Sequence, residues 1–161
     1  LIMKKKQGVF MTQSRVSAPI EGFFGEYRFL SNFHMAPITW EGVTYPSTEH
    51  AYQAAKSLNV QERKRIAALE TPKEARRAGQ NVKLRPDWDR VKLHIMTELT
   101  RLKFQHSDLR ERLLATGDAY LEETNWWRDR YWGVCEGSGQ NQLGKLLMRV
   151  RDEISQLGKA N

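Results

Sequence analysis

One short stretch of the chain gathers groups suited to acid–base chemistry. At about 100° per residue, Glu49, Tyr52, Gln53 and Lys56 share one face of a helix opening at Ser47, and Ala51, Ala54, Ala55 and Leu58 share the other. A carboxylate, a phenol, an amide and an ammonium thus lie side by side. In a cleft, such a carboxylate takes a proton from water or stabilises a developing cation. On a solvated face, Glu49 merely complements the positive helix start. Periodicity alone favours the solvated face. A second cluster, Trp126-Trp127-Arg128-Asp129-Arg130-Tyr131-Trp132-Gly133, places four aromatics in seven residues of an otherwise polar stretch. Indole rings there either stack on a flat base or anchor a loop in the core. Asp129, between two arginines, reads equally as a surface ion pair and as a carboxylate held ionised in a site. A third stretch, Gly137 to Gly144, is a glycine-rich turn leading into a helix. Backbone N–H groups there suit a phosphate, but the spacing is not that of a Walker A loop, and a plain turn is the favoured account.

The remaining reactive types are poorer candidates. His34, His50, His94 and His106 show no metal-ligand spacing, so neither a metal nor a cofactor is expected. His94 is expected to pack on the apolar side of its helix. Cys135 stands alone, which excludes an internal disulfide and a cysteine-rich zinc site, and a reducing, cytoplasmic location is the expectation.

Behind these groups must stand elements that hold them. The 161 residues suit one domain, and a 40% hydrophobic fraction suffices for a core. No apolar run approaches the ~20 residues of a membrane-spanning helix, and no secretory signal follows the basic start. Met11 is a candidate natural start, and residues 1–18 are expected to form a disordered or extended segment ahead of a domain over 19–158. Glu41-Gly42 between Ile38-Thr39-Trp40 and Val43-Thr44-Tyr45 predicts a hairpin. Helices are expected from Ser47 to about 58, over 61–70 and after Pro72. The clearest one follows Pro86, with a stripe of Trp88, Val91, Ile95, Leu99 and Leu102. Another runs from Ser107, as its cap, to about 116, and the last from Asn141 to about 157, with Leu143, Leu146, Leu147, Val150 and Ile154 inward. Residues 119–123 suggest a strand, and 125–140 a loop with a short strand. The sum is a helix-rich α+β domain with a small antiparallel or mixed sheet, lacking the alternation of a doubly wound fold.

These pieces, in this order, resemble the NADAR or YbiA-like family. The matching segments are Phe29-Leu30-Ser31-Asn32-Phe33, Tyr45-Pro46-Ser47-Thr48-Glu49-His50-Ala51-Tyr52-Gln53-Ala54-Ala55-Lys56, Trp88 ahead of Val91-Lys92, Lys103-Phe104, Leu113 to Gly117, Asp129 with Trp132-Gly133, and Asn141 to Met148. The resemblance runs from about residue 22 to 154. Val134-Cys135-Glu136 departs from the glycine-rich, polar run expected after Trp132-Gly133. The resemblance implies an N-glycosidase that cleaves ribose from a nitrogenous base. Some members look like enzymes acting on ribosylamino-pyrimidine phosphates of riboflavin synthesis, and others like enzymes removing ADP-ribose from guanine in DNA. It also implies roles for Glu49, Asp129, Trp88 and Trp132.

Hydrolysis of such a bond passes through an oxocarbenium-like ribose. Glu49 is assigned to the anomeric carbon as base or electrostatic stabiliser. Asp129 orients the ribose or shares the acid–base role. Trp132, with Trp88, stacks on the base, and Trp88 has core packing as its rival role. Arg28, Asn32, Phe33, Lys56, Gly133 and Asn141 complete the expected substrate contacts. The net charge of +7 and pI near 9.7 favour a phosphate-bearing partner and make DNA a candidate. A non-enzymatic ADP-ribose or nucleic-acid binder, and a basic interaction module with a packed aromatic core, are the alternatives. Neither needs an ionised carboxylate.

Overall fold

The computed structural model describes residues 16–161, so most of the segment expected over 1–18, and Met11 with it, lies outside the described residues. β1 (Ile20–Glu21) leads into a 3-10 turn, Gly25–Leu30, and then to the hairpin of β2 (Met35–Trp40) and β3 (Val43–Ser47). Glu41 and Gly42 both take positive φ, 47° and 79°, the twist a two-residue hairpin turn requires. The strands alternate faces, so Ala36, Ile38, Trp40 and Tyr45 are buried.

β3 runs straight into α1 (Thr48–Ala55). The Ser47 side chain caps it, accepting the His50 N–H at 3.2 Å and meeting His50 Nδ1 at 2.7 Å. Every residue of α1 is buried, because α2 (Val60–Ala67), α3 (Pro72–Gly79), α4 (Trp88–Lys103) and both hairpin strands pack around it. The alanine face makes this close approach possible. The expectation of a solvated face for Glu49, Tyr52 and Gln53 is therefore overturned by tertiary packing. Leu58, placed with the alanines by periodicity, lies past the helix end and is exposed. Asn59 caps α2, and Thr71 with Glu74 forms a capping box on α3.

α4 and α6 (Gln142–Lys159) bury the stripes read from the sequence, with Ile95, Leu99, Leu143, Leu146, Leu147 and Val150 almost wholly enclosed. Each such side chain contributes about 1.5–3 kcal/mol of burial. His94 departs from its expected packing: it points to solvent beside Glu98. α5 (Ser107–Ala115) has His106, not Ser107, at its cap position. The strand expected over 119–123 shrinks to β4 (Leu121–Glu122), which pairs in parallel with β1. β5 (Thr124–Asn125) and β6 (Val134–Cys135) form a second short parallel ladder, and Cys135 is buried within it. Among the described residues the sheet is thus split into three two-stranded pieces around a helical body, an α+β domain. No helix of the described residues is long and apolar enough to cross a membrane.

Candidate functional site

A cavity of about 550 Å³ opens where α1, the 29–33 segment and the 121–132 loop meet. Glu49, Tyr52, Gln53 and Lys56 of α1 supply one wall. Arg28, Asn32 and Phe33 supply the second, and Glu123, Asp129 and Trp132 the third.

Glu49 is 7% exposed. Its backbone N–H donates to the Asn32 carbonyl at 3.1 Å, which pins the helix start to the opposite wall. The Gln53 Nε2–H donates to Glu49 Oε1 at 2.8 Å. Gly79 of α3 makes room for that amide, since a Cβ there would lie 1.9 Å from Gln53 Oε1. Burial raises the Glu49 carboxyl above the usual range, opposed by the Gln53 hydrogen bond and by the charges of Arg76 and Lys56.

Asp129 makes no ion pair with its neighbouring arginines; Arg130 pairs with Glu136 instead. Asp129 Oδ1 accepts the N–H groups of Tyr131 at 3.1 Å and Trp132 at 2.9 Å. The buried Asn125 side chain then clamps the Asp129 backbone, accepting its N–H at 3.0 Å and donating to its carbonyl at 2.8 Å. The carboxylate is therefore fixed at the cavity wall by main-chain contacts and not by a surface ion pair with its neighbouring arginines. Trp132 donates its indole N–H to Tyr52 Oη at 3.2 Å, and the two rings meet edge to face.

Glu123 is the group that sequence reasoning missed. Its side chain lines the cavity, and its Oε2 is sealed from solvent with no hydrogen-bond partner among the described residues. Burial, reinforced by the negative charges of Asp129 and Glu49, pushes its carboxyl up to about 7, against the pull of Lys103 and Arg28. Lys103 is itself buried, donates to the Ser31 carbonyl at 2.8 Å, and is pushed by desolvation down to about 7. The sequence signal was slight: one acidic residue between two two-residue strands. Only the fold turns it toward the other two carboxylates. Among the described residues, no three His, Cys, Asp or Glu side chains are grouped to hold a metal.

Three expected contacts do not reach the cavity. Trp88 lies behind it, with its ring 5.1 Å from that of Tyr52, and supports the wall from the core. Asn141 is buried and braces the backbone, donating to the Leu121 carbonyl at 2.9 Å and accepting the Glu123 N–H at 3.0 Å. Gly133 is held by packing, since a Cβ would come within 2.1 Å of the Glu123 carbonyl oxygen. The glycine-rich turn serves the same joint, for a Cβ on Gly139 would meet the Gly133 carbonyl oxygen at 2.1 Å. Asn141, Gly133 and Gly139 thus brace the loop that carries Glu123 and Asp129.

The arrangement can hold a sugar against carboxylates, with aromatic and cationic groups for its substituents. The chain is similar to known proteins. A model of the NADAR domain matches residues 18–155. The N-glycosidase YbiA of Escherichia coli is 40% identical over 134 residues, covering 81% of this chain and 83% of that protein. An N-glycosidase of Nostoc punctiforme is 41% identical over 138 residues, covering 81% and 88%. A riboflavin biosynthesis protein of Vibrio vulnificus is 37% identical over 132 residues, covering 80% of this chain but 36% of its own length. The NMR structure of E. coli YbiA superposes with a TM-score of 0.78 at 35% identity, covering 91% of this chain and 94% of that one. The chain belongs to the NADAR family.

Proposed function

We propose that this protein is an N-glycosidase that hydrolyses the bond between a ribose and a nitrogenous base. The observation that carries the reading is the three carboxyl groups of Glu49, Asp129 and Glu123 around one cavity, with burial raising those of Glu49 and Glu123 above the usual carboxylate range. Three such charges do not ionise freely side by side. Glu123, with one oxygen sealed and without a partner among the described residues, holds its proton up to about pH 7. Glu49 accepts the Gln53 hydrogen bond and is faced by Arg76 and Lys56, which favour its ionised form against the desolvation that raises it.

In the reaction, the bond between the anomeric carbon and the base nitrogen breaks, and its electron pair leaves with the base. Glu123 donates the proton that neutralises the departing nitrogen. Glu49 stabilises the oxocarbenium-like ribose and accepts a proton from the water that attacks the anomeric carbon. Asp129 orients the ribose hydroxyls. Trp132 and Phe33 flank the base, and Arg28, Lys56 and Arg76 face phosphate oxygens. Asn32 completes the ribose contacts. Water and ribosylated base give free base and free ribose, with no redox step.

The substrate is a ribosylated base. A relative named for riboflavin biosynthesis favours an intermediate of that synthesis, which the family resemblance gives as a ribosylamino-pyrimidine phosphate, and the net charge of +7 favours an ADP-ribosylated guanine in DNA. The test incubates the protein and a Glu49→Gln variant with each substrate and follows base release by mass spectrometry. Release by the parent and loss of about a hundredfold or more in the variant, with an unchanged circular dichroism spectrum, is the expected result. Equal turnover in the two proteins overturns the role of Glu49. No release from either substrate returns the reading to a non-enzymatic binder.

A further inference from the structure

The Tyr52 hydroxyl carries a donor that the rest of the protein does not use. An indole N–H can only donate, so in the 3.2 Å bond between Trp132 Nε1 and Tyr52 Oη the phenol oxygen is the acceptor. Its own O–H must point elsewhere, and it meets no acceptor among the described residues. Tyr52 is 8% exposed, and a donor so enclosed costs free energy until something pairs with it. Burial, opposed by the Trp132 bond and reinforced by the charges of Glu49 and Asp129, raises its titration above the ordinary phenol value. The proton therefore stays in place throughout the neutral range.

The ring that carries this hydroxyl is fixed. Trp88 lies 5.1 Å behind it, Trp132 meets it edge-on at 5.5 Å and 89°, and Lys56 Nζ lies 5.8 Å from its centroid. A ligand that accepts from it thus pays little for ordering the side chain. Tyr52 stands three residues after Glu49 on the same face of α1, and both line the cavity. Trp132 ties the hydroxyl to the facing wall as well. Its side chain donates to Tyr52 Oη, and its backbone N–H donates to Asp129 Oδ1 at 2.9 Å. A carboxylate that can only accept and a phenol with a donor to give are joined through one residue.

A sugar hydroxyl needs that pair, because it gives its proton to one group and takes a hydrogen bond on its oxygen from another. With Glu49 at the anomeric carbon, the next hydroxyl along the ring, at C2, is the one nearest the neighbouring groups of the wall. We propose that Tyr52 donates to the ribose 2-hydroxyl, whose proton Asp129 accepts, and that this contact makes the cavity select ribose over 2-deoxyribose. The proposal rests on the ribosyl reading of the cavity. A site with a donor set for a hydroxyl rejects the analogue lacking it, because the donor is then left unpaired. Hydrogen bonds to this hydroxyl also strengthen as the oxocarbenium-like ribose forms.

The test measures binding, so it does not depend on turnover. Parent and Tyr52→Phe are titrated with ribose 5-phosphate and 2-deoxyribose 5-phosphate and followed by NMR chemical shifts. The parent is expected to hold ribose 5-phosphate roughly tenfold to a hundredfold more tightly. Phenylalanine keeps the ring and its packing against Trp88 and Trp132. Tyr52→Phe should therefore lose most of the preference by weakening ribose 5-phosphate alone, with 2-deoxyribose 5-phosphate bound at least as well as by the parent. A parent that binds both sugars alike, or neither, overturns the proposal whatever the variant does. So does a variant that keeps the preference, or one that weakens both sugars equally, which is the mark of a purely structural hydroxyl. Base release in the substrate assay without a sugar preference removes the Tyr52 contact and leaves the glycosidase. A sugar preference without base release removes the glycosidase and leaves the contact.

Discussion

Replacing Glu123 by glutamine should make the protein more stable and less active at once. The carboxyl sits at about 7 rather than 4.5 because burial and two neighbouring carboxylates oppose its ionisation. Above both values the ionised form then costs on the order of 3 kcal/mol in the folded state, as an upper figure. The sign follows from proton binding. Between 4.5 and about 7 the folded state holds the Glu123 proton and the unfolded state has released it, so stability is lost as pH rises through that window. Below the window the two proteins should melt alike. At pH 8 the Glu123→Gln variant should melt higher, by about 5–10 °C at the full figure for a chain of this size. Turnover should move the other way. Loss of a general acid costs about a hundredfold to ten-thousandfold, and the alkaline limb that the parent shows near its titration should vanish. Differential scanning calorimetry at pH 4.5 and pH 8, with base release followed over the same range, reads both. A variant that turns over within a few-fold of the parent refutes the proton-donor role, and a melting difference independent of pH refutes the electrostatic account.

Two further perturbations probe the same loop. Gly133→Ala should destabilise the protein by several kcal/mol, because its Cβ meets the Glu123 carbonyl oxygen at 2.1 Å and backbone, not a movable side chain, must yield; a urea melt unshifted from the parent would contradict this. Lys103→Met preserves volume but removes the cation that lowers the Glu123 carboxyl. The alkaline limb of the pH–rate profile should shift to higher pH, and a shift to lower pH would show that Lys103 does not act on Glu123 through its charge.

Much of the scaffold is local, and the sequence alone determined it. Glu41-Gly42 is compatible with few turns other than the hairpin it forms, and Ser47, Asn59 and Thr71 carry the side-chain oxygens that helix starts require. The stripes of α4 and α6 specify their buried faces by spacing alone. The family resemblance, resting on ordered motifs, pointed to Glu49 and Asp129 as carboxylates of interest. What the sequence could not decide is where burial falls. Spacing placed Glu49 and Gln53 opposite the alanines, on a face taken for solvated; α3, brought over by the fold, covers it. Trp88 and Trp132 are the same residue type, yet Trp88 packs behind Tyr52 and Trp132 lines the cavity. Asn141 and Gly133 looked like ligand contacts and proved to brace the loop that carries Glu123. Glu123 itself has no local signature, because its titration depends on burial and on the charges of Asp129 and Glu49, which the fold brings to the same cavity. Propensity and capping act within a few residues, so they can be read along the chain. Desolvation and charge coupling act through space, so only the tertiary structure decided which carboxyls are raised above their usual range.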